Sequence, residues 1–219
     1  MVEQQRMAAR ERFSQCLPLV AILRGLEPER AVAVAQVLVD SGIELIEVPM
    51  NSPEPLRSIA AIIKAFDQRA MIGAGTVMSV NTVDDLSNLG ASLVVAPNCD
   101  DRVIARADAL GMLALPGVMT PTEMFAAAES GAAGLKIFPA ELFTPAAVKA
   151  VCAVLPSELP VFVVGGVNAG NMADYLKAGA TGFGLGSALF KPGKPVEQVA
   201  VDALEIVAAF RNAQAQLQN

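Results

Sequence analysis

Histidine is absent from all 219 residues. That excludes Ser-His-Asp catalysis and argues against a zinc-dependent aldolase or hydrolase, since such sites draw on imidazole. Acid–base chemistry must then come from carboxylates, lysine, tyrosine or bound water. Tyrosine occurs once, at Tyr175, in a stretch that reads as helix, where packing is its expected role. The three cysteines, Cys16, Cys99 and Cys152, are odd in number and unrelated in spacing. They suggest buried thiols in a reducing cytoplasm, with no histidine to activate a catalytic one. No apolar stretch reaches the ~20 residues of a membrane span. No apolar core follows Met1–Arg6 to make a signal peptide, so the cytoplasm is the expected location. Basic runs are lacking and the net charge is -6, which argues against a nucleic-acid partner.

What is present is a large apolar fraction, 53% hydrophobic against 17% charged. By length this could fill one barrel or two small domains. No linker, low-complexity tract or charge block divides the chain, so residues 1–219 are read as one domain. Residues 1–15 precede the first strand as an extension, expected either as a helix over one end of the fold or as a partly disordered segment.

Short apolar runs alternate with longer amphipathic ones. The expected strands are Leu19–Arg24, Leu45–Pro49, Met71–Gly75, Leu93–Pro97, Met112–Pro116, Leu135–Pro139, Val161–Gly165 and Gly182–Gly186. They recur every 19 to 26 residues. Their near-continuous apolar character indicates a parallel sheet buried on both faces. Helical patterns lie between, as at 28–39, where Pro28 suits a first turn and Gly42 a C-terminal cap. Gly90, Gly111, Gly131 and Gly179 fall at similar junctions, and a last helix is expected at Val196–Arg211. The α/β class is expected, as a (β/α)8 TIM barrel with an extra N-terminal helix. The competing architecture is an open doubly wound sheet.

Barrel sites lie at the C-terminal ends of strands, and polar residues interrupt the apolar runs there. Arg24, Glu47, Thr76, Asn98, Lys136, Gly165-Gly166 and Gly186-Ser187 fall at one expected rim. Lys136 sits in Gly134-Leu135-Lys136-Ile137-Phe138-Pro139 with no neighbouring charge. An amine there either snorkels outward or loses its proton easily. Lowering its pKa by ~3 units would cost about 4 kcal/mol and leave a nucleophile for Schiff-base chemistry on a carbonyl. Glu47, in Leu45-Ile46-Glu47-Val48-Pro49, alternates away from Ile46 and Val48. It is either half of a buried ion pair with Arg24 or Lys136, or a general base whose proton affinity the apolar walls raise. The paired glycine turns suit a phosphate held by backbone N–H groups, or are ordinary turns. Thr76 suits a carboxylate or enamine contact, or a cap on the next helix.

Together these residues resemble the class I aldolases of 2-keto-3-deoxy-6-phospho sugar acids. The motifs are Ile-Leu-Arg-Gly at 22–25, Ile-Glu-Val-Pro at 46–49, Gly-Ala-Gly-Thr-Val at 73–77 and Ala-Pro-Asn at 96–98. They continue with Leu-Pro-Gly at 115–117, Leu-Lys-Ile-Phe-Pro-Ala at 135–140, Val-Gly-Gly-Val at 164–167 and Gly-Leu-Gly-Ser at 184–187. The likeness runs in order from Leu17 to Arg211. It implies a Schiff-base lysine at Lys136 and an acid–base glutamate at Glu47. It implies pyruvate contacts at Arg24, Thr76 and Pro97, with Phe138 flanking the lysine. The phosphate would rest on Gly165, Gly166, Gly186 and Ser187.

The resemblance further implies a trimeric barrel needing no metal or organic cofactor. Its small-molecule partners would be a keto-deoxy sugar acid phosphate, pyruvate and glyceraldehyde 3-phosphate. The gluconate branch of the family carries Arg-Thr after the glutamate motif and a threonine before Gly-Gly. Asn51-Ser52-Pro53 and Val164 here resemble the galactonate branch instead. The alternatives are a gluconate-type or 4-hydroxy-2-oxoglutarate aldolase, a phosphate-barrel isomerase or epimerase, and a non-catalytic sugar-phosphate binding barrel.

Overall fold

The computed structural model describes residues 2–217; Met1, Gln218 and Asn219, the ends of the expected 1–219 domain, lie outside the described residues. Nine strand segments are found among the described residues: β1 (Leu19–Ile22), β2 (Leu45–Pro49), β3 (Met71–Gly75), β4 (Leu93–Val95), β5 (Leu113–Leu115), β6 (Gly117–Val118), β7 (Leu135–Ile137), β8 (Val161–Val164) and β9 (Gly182–Leu185). All neighbours pair in parallel, in the order β5-β4-β3-β2-β1-β9-β8-β7-β6.

The expected strand at 112–116 needs correcting. Pro116 has no N–H to give a ladder, so the strand breaks there and resumes one residue later. Before the break, β5 pairs with β4; after it, Gly117 and Val118 pair with β7. The two ends of the strand order are therefore one continuous segment, and the ring closes as a (β/α)8 barrel. The open sheet is not adopted. Several strands also stop short of their expected ends, leaving Arg24, Pro97, Phe138, Gly165 and Gly186 on loops.

Period-two alternation divides the strand side chains between two layers. Leu19, Ala21, Ile46, Val48, Ile72, Ala74 and Val94 point outward and pack beneath the helices. Val20, Ile22, Leu45, Met71, Leu93, Val95, Leu113, Leu115, Phe162 and Val164 fill the barrel interior. The helices between strands are α2 (Pro28–Asp40), α3 (Pro55–Phe66), α4 (Val80–Asn88), α5 (Asp101–Ala109), α6 (Pro121–Glu129), α7 (Pro145–Cys152) and α8 (Met172–Lys177). Four of them, α2, α3, α6 and α7, begin on proline, whose fixed φ suits a first helical residue. After α2 the chain turns at Gly42, φ 92°, a value that favours glycine. The last helix, α9 (Val196–Leu217), runs past the expected end at Arg211.

The extension forms a helix, α1 (Val2–Gln15). Its Phe13 closes the N-terminal end of the barrel, with ring centroids 5.8 Å from Phe162. Arg6 bonds Asp108 at 2.7 Å, Arg10 donates to the Gly131 carbonyl at 3.0 Å, and Arg12 to that of Ala70 at 2.9 Å. The helix is thus tied to the barrel floor by charge and anchored by one aromatic. The three thiols are free; Cys16 is buried, whereas Cys99 and Cys152 are only half-buried, short of the expectation. Burial pushes the Cys16 thiol up to about 12. Among the described residues no helix is long and apolar enough to cross a membrane.

Candidate active site

Glu47 lies on β2 in register with Ile22 of β1 and Gly73 of β3. Its side chain points inward and is 1% exposed. The neighbouring strand makes room for it: a methyl group on Gly75 would stand 2.0 Å from Oε2. That oxygen is buried with no hydrogen-bond partner. Glu47 enters none of the ion pairs found among the described residues, so the paired reading fails as a direct contact. Burial pushes its carboxyl up to about 7, against the opposing pull of the Lys136 and Arg24 charges. A carboxyl poised there can give or take a proton near neutrality, and an unpaired buried oxygen leaves it a bond to offer.

Lys136 lies on β7, opposite Gly117 on one side and Phe162 on the other. It is 7% exposed and points into the same interior, so it does not snorkel outward. Its Nζ sits 4.8 Å from the Phe138 ring centroid. Burial lowers its pKa below the ordinary lysine value; the Glu47 charge opposes that shift and the Arg24 charge adds to it. Desolvation is what releases a nucleophilic amine. Both groups line one narrow cavity with Val20, Ile22, Val95, Leu115 and Val164.

A cleft of about 180 Å³ adjoins that cavity, the two sharing Ile22, Val164 and Gly184. The cleft gathers Arg24, Gly165, Gly166, Gly186 and Ser187, five of the residues expected at the rim, together with Phe138. Gly165 and Gly166 have φ 113° and 64°, so the turn needs glycine. Its carbonyl at Gly166 accepts from the Asn171 amide at 2.9 Å. Arg24 donates to Asn51 Oδ1 at 2.7 Å, and the Gly25 N–H donates to Ser52 Oγ at 3.0 Å. Two loop tips are thereby tied together and the guanidinium is aimed.

Thr76 and Pro97 line neither cavity. They lie at the ends of β3 and β4, across the rim, where the Val77 N–H donates to the Val95 carbonyl at 3.1 Å. Thr76 is no helix cap: Ser79 caps α4, accepting from the Thr82 N–H. Instead Thr76 holds φ 57°, a strained value for a β-branched residue. Tyr175, expected only to pack, donates its hydroxyl to the carbonyls of Ala140 and Phe143.

Sequence reasoning missed Glu141, and it missed the roles of Gly75 and Asn51. Glu141 follows the lysine motif and lines the cleft; an acid two residues past a proline-ended strand was the available signal. Gly75 and Asn51 stood within quoted motifs, Asn51 as a mark of the galactonate branch, but their contacts with Glu47 and Arg24 depend on which strand and loop lie alongside. Among the described residues, no group of three or more His, Cys, Asp or Glu could hold a metal ion.

Comparison with known proteins gives the geometry a context. A family described as KDPG and KHG aldolase matches residues 11–207. The chain is 47% identical over 197 residues to the 2-dehydro-3-deoxy-6-phosphogalactonate aldolase of Escherichia coli K12, covering 90% of this chain and 96% of that protein. A probable aldolase of the same name from Rhizobium meliloti is 47% identical over 193 residues, covering 88% of this chain and 91% of its own. A solved "Native KDPGal structure" superposes with a TM-score of 0.90 at 47% identity, over 91% of this chain and 97% of the other.

Proposed function

The chain belongs to the KDPG and KHG aldolase family, and on that premise we propose that it cleaves 2-dehydro-3-deoxy-6-phosphogalactonate reversibly to pyruvate and D-glyceraldehyde 3-phosphate, as a class I aldolase with Lys136 as nucleophile. The observation that carries this is one buried amine and one buried carboxyl facing a single barrel interior, with Glu47 Oε2 unpartnered.

Neutral Lys136 attacks the C2 ketone, forming a carbinolamine. Glu47, directly or through water, delivers the proton that lets hydroxide leave as water, giving the iminium. Glu47 then takes the C4 hydroxyl proton. The C3–C4 bond breaks, its electrons passing into the iminium to give an enamine, while C4 becomes the aldehyde carbon of glyceraldehyde 3-phosphate. Protonation of the enamine at C3 and hydrolysis release pyruvate and return the free amine. The lysine is the electron sink, so the scheme calls on no cofactor. Arg24 holds the substrate carboxylate at the cleft, with Thr76 and Pro97 facing it only from across the rim, Phe138 walls the lysine, and the turns at Gly165-Gly166 and Gly186-Ser187 receive the phosphate. The galacto epimer is favoured by the Escherichia coli relative's name and by Val164, whose apolar side chain lines both cavities. A homotrimer working in galactonate breakdown is what the family resemblance implies, and the free thiols suit the cytoplasm. Light scattering at a mass three times that of the chain would support the trimer.

Treatment with pyruvate and borohydride, then peptide mapping, tests the mechanism. A reduced adduct on Lys136 supports it; folded protein that gives none sinks it. The two C4 epimers, assayed side by side for pyruvate release, test the substrate: faster cleavage of the gluco epimer would overturn the galactonate reading.

A further inference from the structure

The cleft that would receive an anion already holds one. Glu141 lies in a single 3-10 turn, Ala140–Leu142, directly after the lysine motif. Its carboxylate fills the hollow above the glycine turn: a methyl group on Gly165 would stand 2.3 Å from Oε2, and one on Gly166 3.1 Å from Cγ. Arg24, Gly186 and Ser187 line the same cleft. The main chain around Glu141 is fixed, because Tyr175 donates to the carbonyls of Ala140 and Phe143 at 3.4 and 3.3 Å, and Ala140 is buried. The Glu141 side chain is exposed. A fixed backbone with a free, charged side chain is a hinge of three rotatable bonds.

We propose that Glu141 is a specificity-determining residue that competes with the substrate phosphate for the Gly165-Gly166 turn. The proposal rests on the phosphate placement given above. An ionised carboxylate only accepts hydrogen bonds, as phosphate oxygens do, so the two seek the same donors. A phosphomonoester carries nearly two negative charges near pH 7, and it cannot share the hollow with a third. Substrate must push Glu141 aside on entry. When the C3–C4 bond is cut, glyceraldehyde 3-phosphate is held only by its own contacts, and Glu141 returning to the hollow hastens its departure. Phosphate affinity is thereby lowered in favour of release.

The test compares full-length wild type with Glu141→Gln and Glu141→Ala at low salt. Inhibition by inorganic phosphate is read first. The ratio of KM for the phosphorylated substrate to KM for its unphosphorylated analogue is read second. Both variants are expected to be inhibited by phosphate about 10-fold more tightly, the size of one like-charge contact, and to show a lowered KM ratio. Tightening by alanine but not glutamine would mean bulk, not charge, and would overturn the proposal. So would wild type and variants inhibited alike, or variants inhibited less, with the phosphate placement left standing. If phosphate inhibited none of the three and the KM ratio were one throughout, the placement itself would fall, and this proposal with it.

Discussion

A methyl group on Gly75 would stand 2.0 Å from Oε2 of Glu47 and 2.3 Å from its carboxyl carbon. The bare main chain of β3 is the seat of the carboxyl on β2. Gly75→Ala should therefore displace Glu47, since the clash is with a side chain locked at 1% exposure. Turnover should fall about 100-fold, the lower range for loss of a general acid–base group. Overpacking should cost about 1–3 kcal/mol of stability. Steady-state kinetics on the folded variant decide it; a rate near wild type would show that Glu47 works from elsewhere.

The charges around Lys136 pull in opposite directions, so their removal should shift its titration in opposite directions. Glu47 raises the amine's pKa and Arg24 lowers it. The amine must be neutral to attack pyruvate. Glu47→Gln should move the pH dependence of borohydride trapping to lower pH, and Arg24→Gln to higher pH. Asn51→Ala, which frees Arg24 from its 2.7 Å bond, should move it as Arg24→Gln does, by less. Shifts of one sign in all three would show that burial, not charge, sets the profile.

Stability should carry the mark of Glu47 as well. Its folded carboxyl is raised from 4.5 to about 7, so the folded state holds a proton that the unfolded chain has released. Between those values stability falls as pH rises, by about 3 kcal/mol at most. The lowered Lys136 works with the opposite sign, so Lys136→Met isolates the effect. That variant should lose stability from about pH 5 upward through neutrality, because its carboxyl has also lost the lysine's pull. Adding Glu47→Gln should flatten the curve. Denaturant midpoints across pH read this directly; a flat curve for Lys136→Met alone would mean that water reaches the carboxyl.

Phe13 tests the floor of the barrel. Its ring packs on Phe162, and both belong to the interior cluster. Phe13→Ala should cost about 3 kcal/mol, the lower end for a buried phenylalanine. The loss should show in the urea midpoint without a change in borohydride trapping, since α1 lies at the far end of the barrel. Loss of trapping in folded protein would mean that the floor reaches the site.

Much of this was legible in the chain. β2 and β3 begin and end where the apolar runs do, at Leu45–Pro49 and Met71–Gly75, because turn residues bound them on both sides. Lys136 and Glu47 stood out as charges inside apolar strands, and burial made each chemically useful. The break at Pro116 was not legible, because whether a missing N–H ends a strand depends on the partner across the ladder. Thr76 read as a possible cap from its place before a helix, but Ser79 sat nearer the first turn and took the role. Glu141 was passed over, since its importance comes from Gly165 and Gly166 on a different loop.

The sequence by itself determined the alternation of strand and helix, the two-faced strands, and the placing of one amine and one carboxyl where water would be scarce. Those follow from local periodicity, which each segment carries within itself. Only the tertiary structure decided that both charges face the same interior, that Gly75 leaves the space Glu47 fills, and that Asn51 aims Arg24. A strand with period two offers two faces, and nothing local says which will be enclosed. Closure of the ring through the broken strand at Pro116 makes that choice for all strands at once.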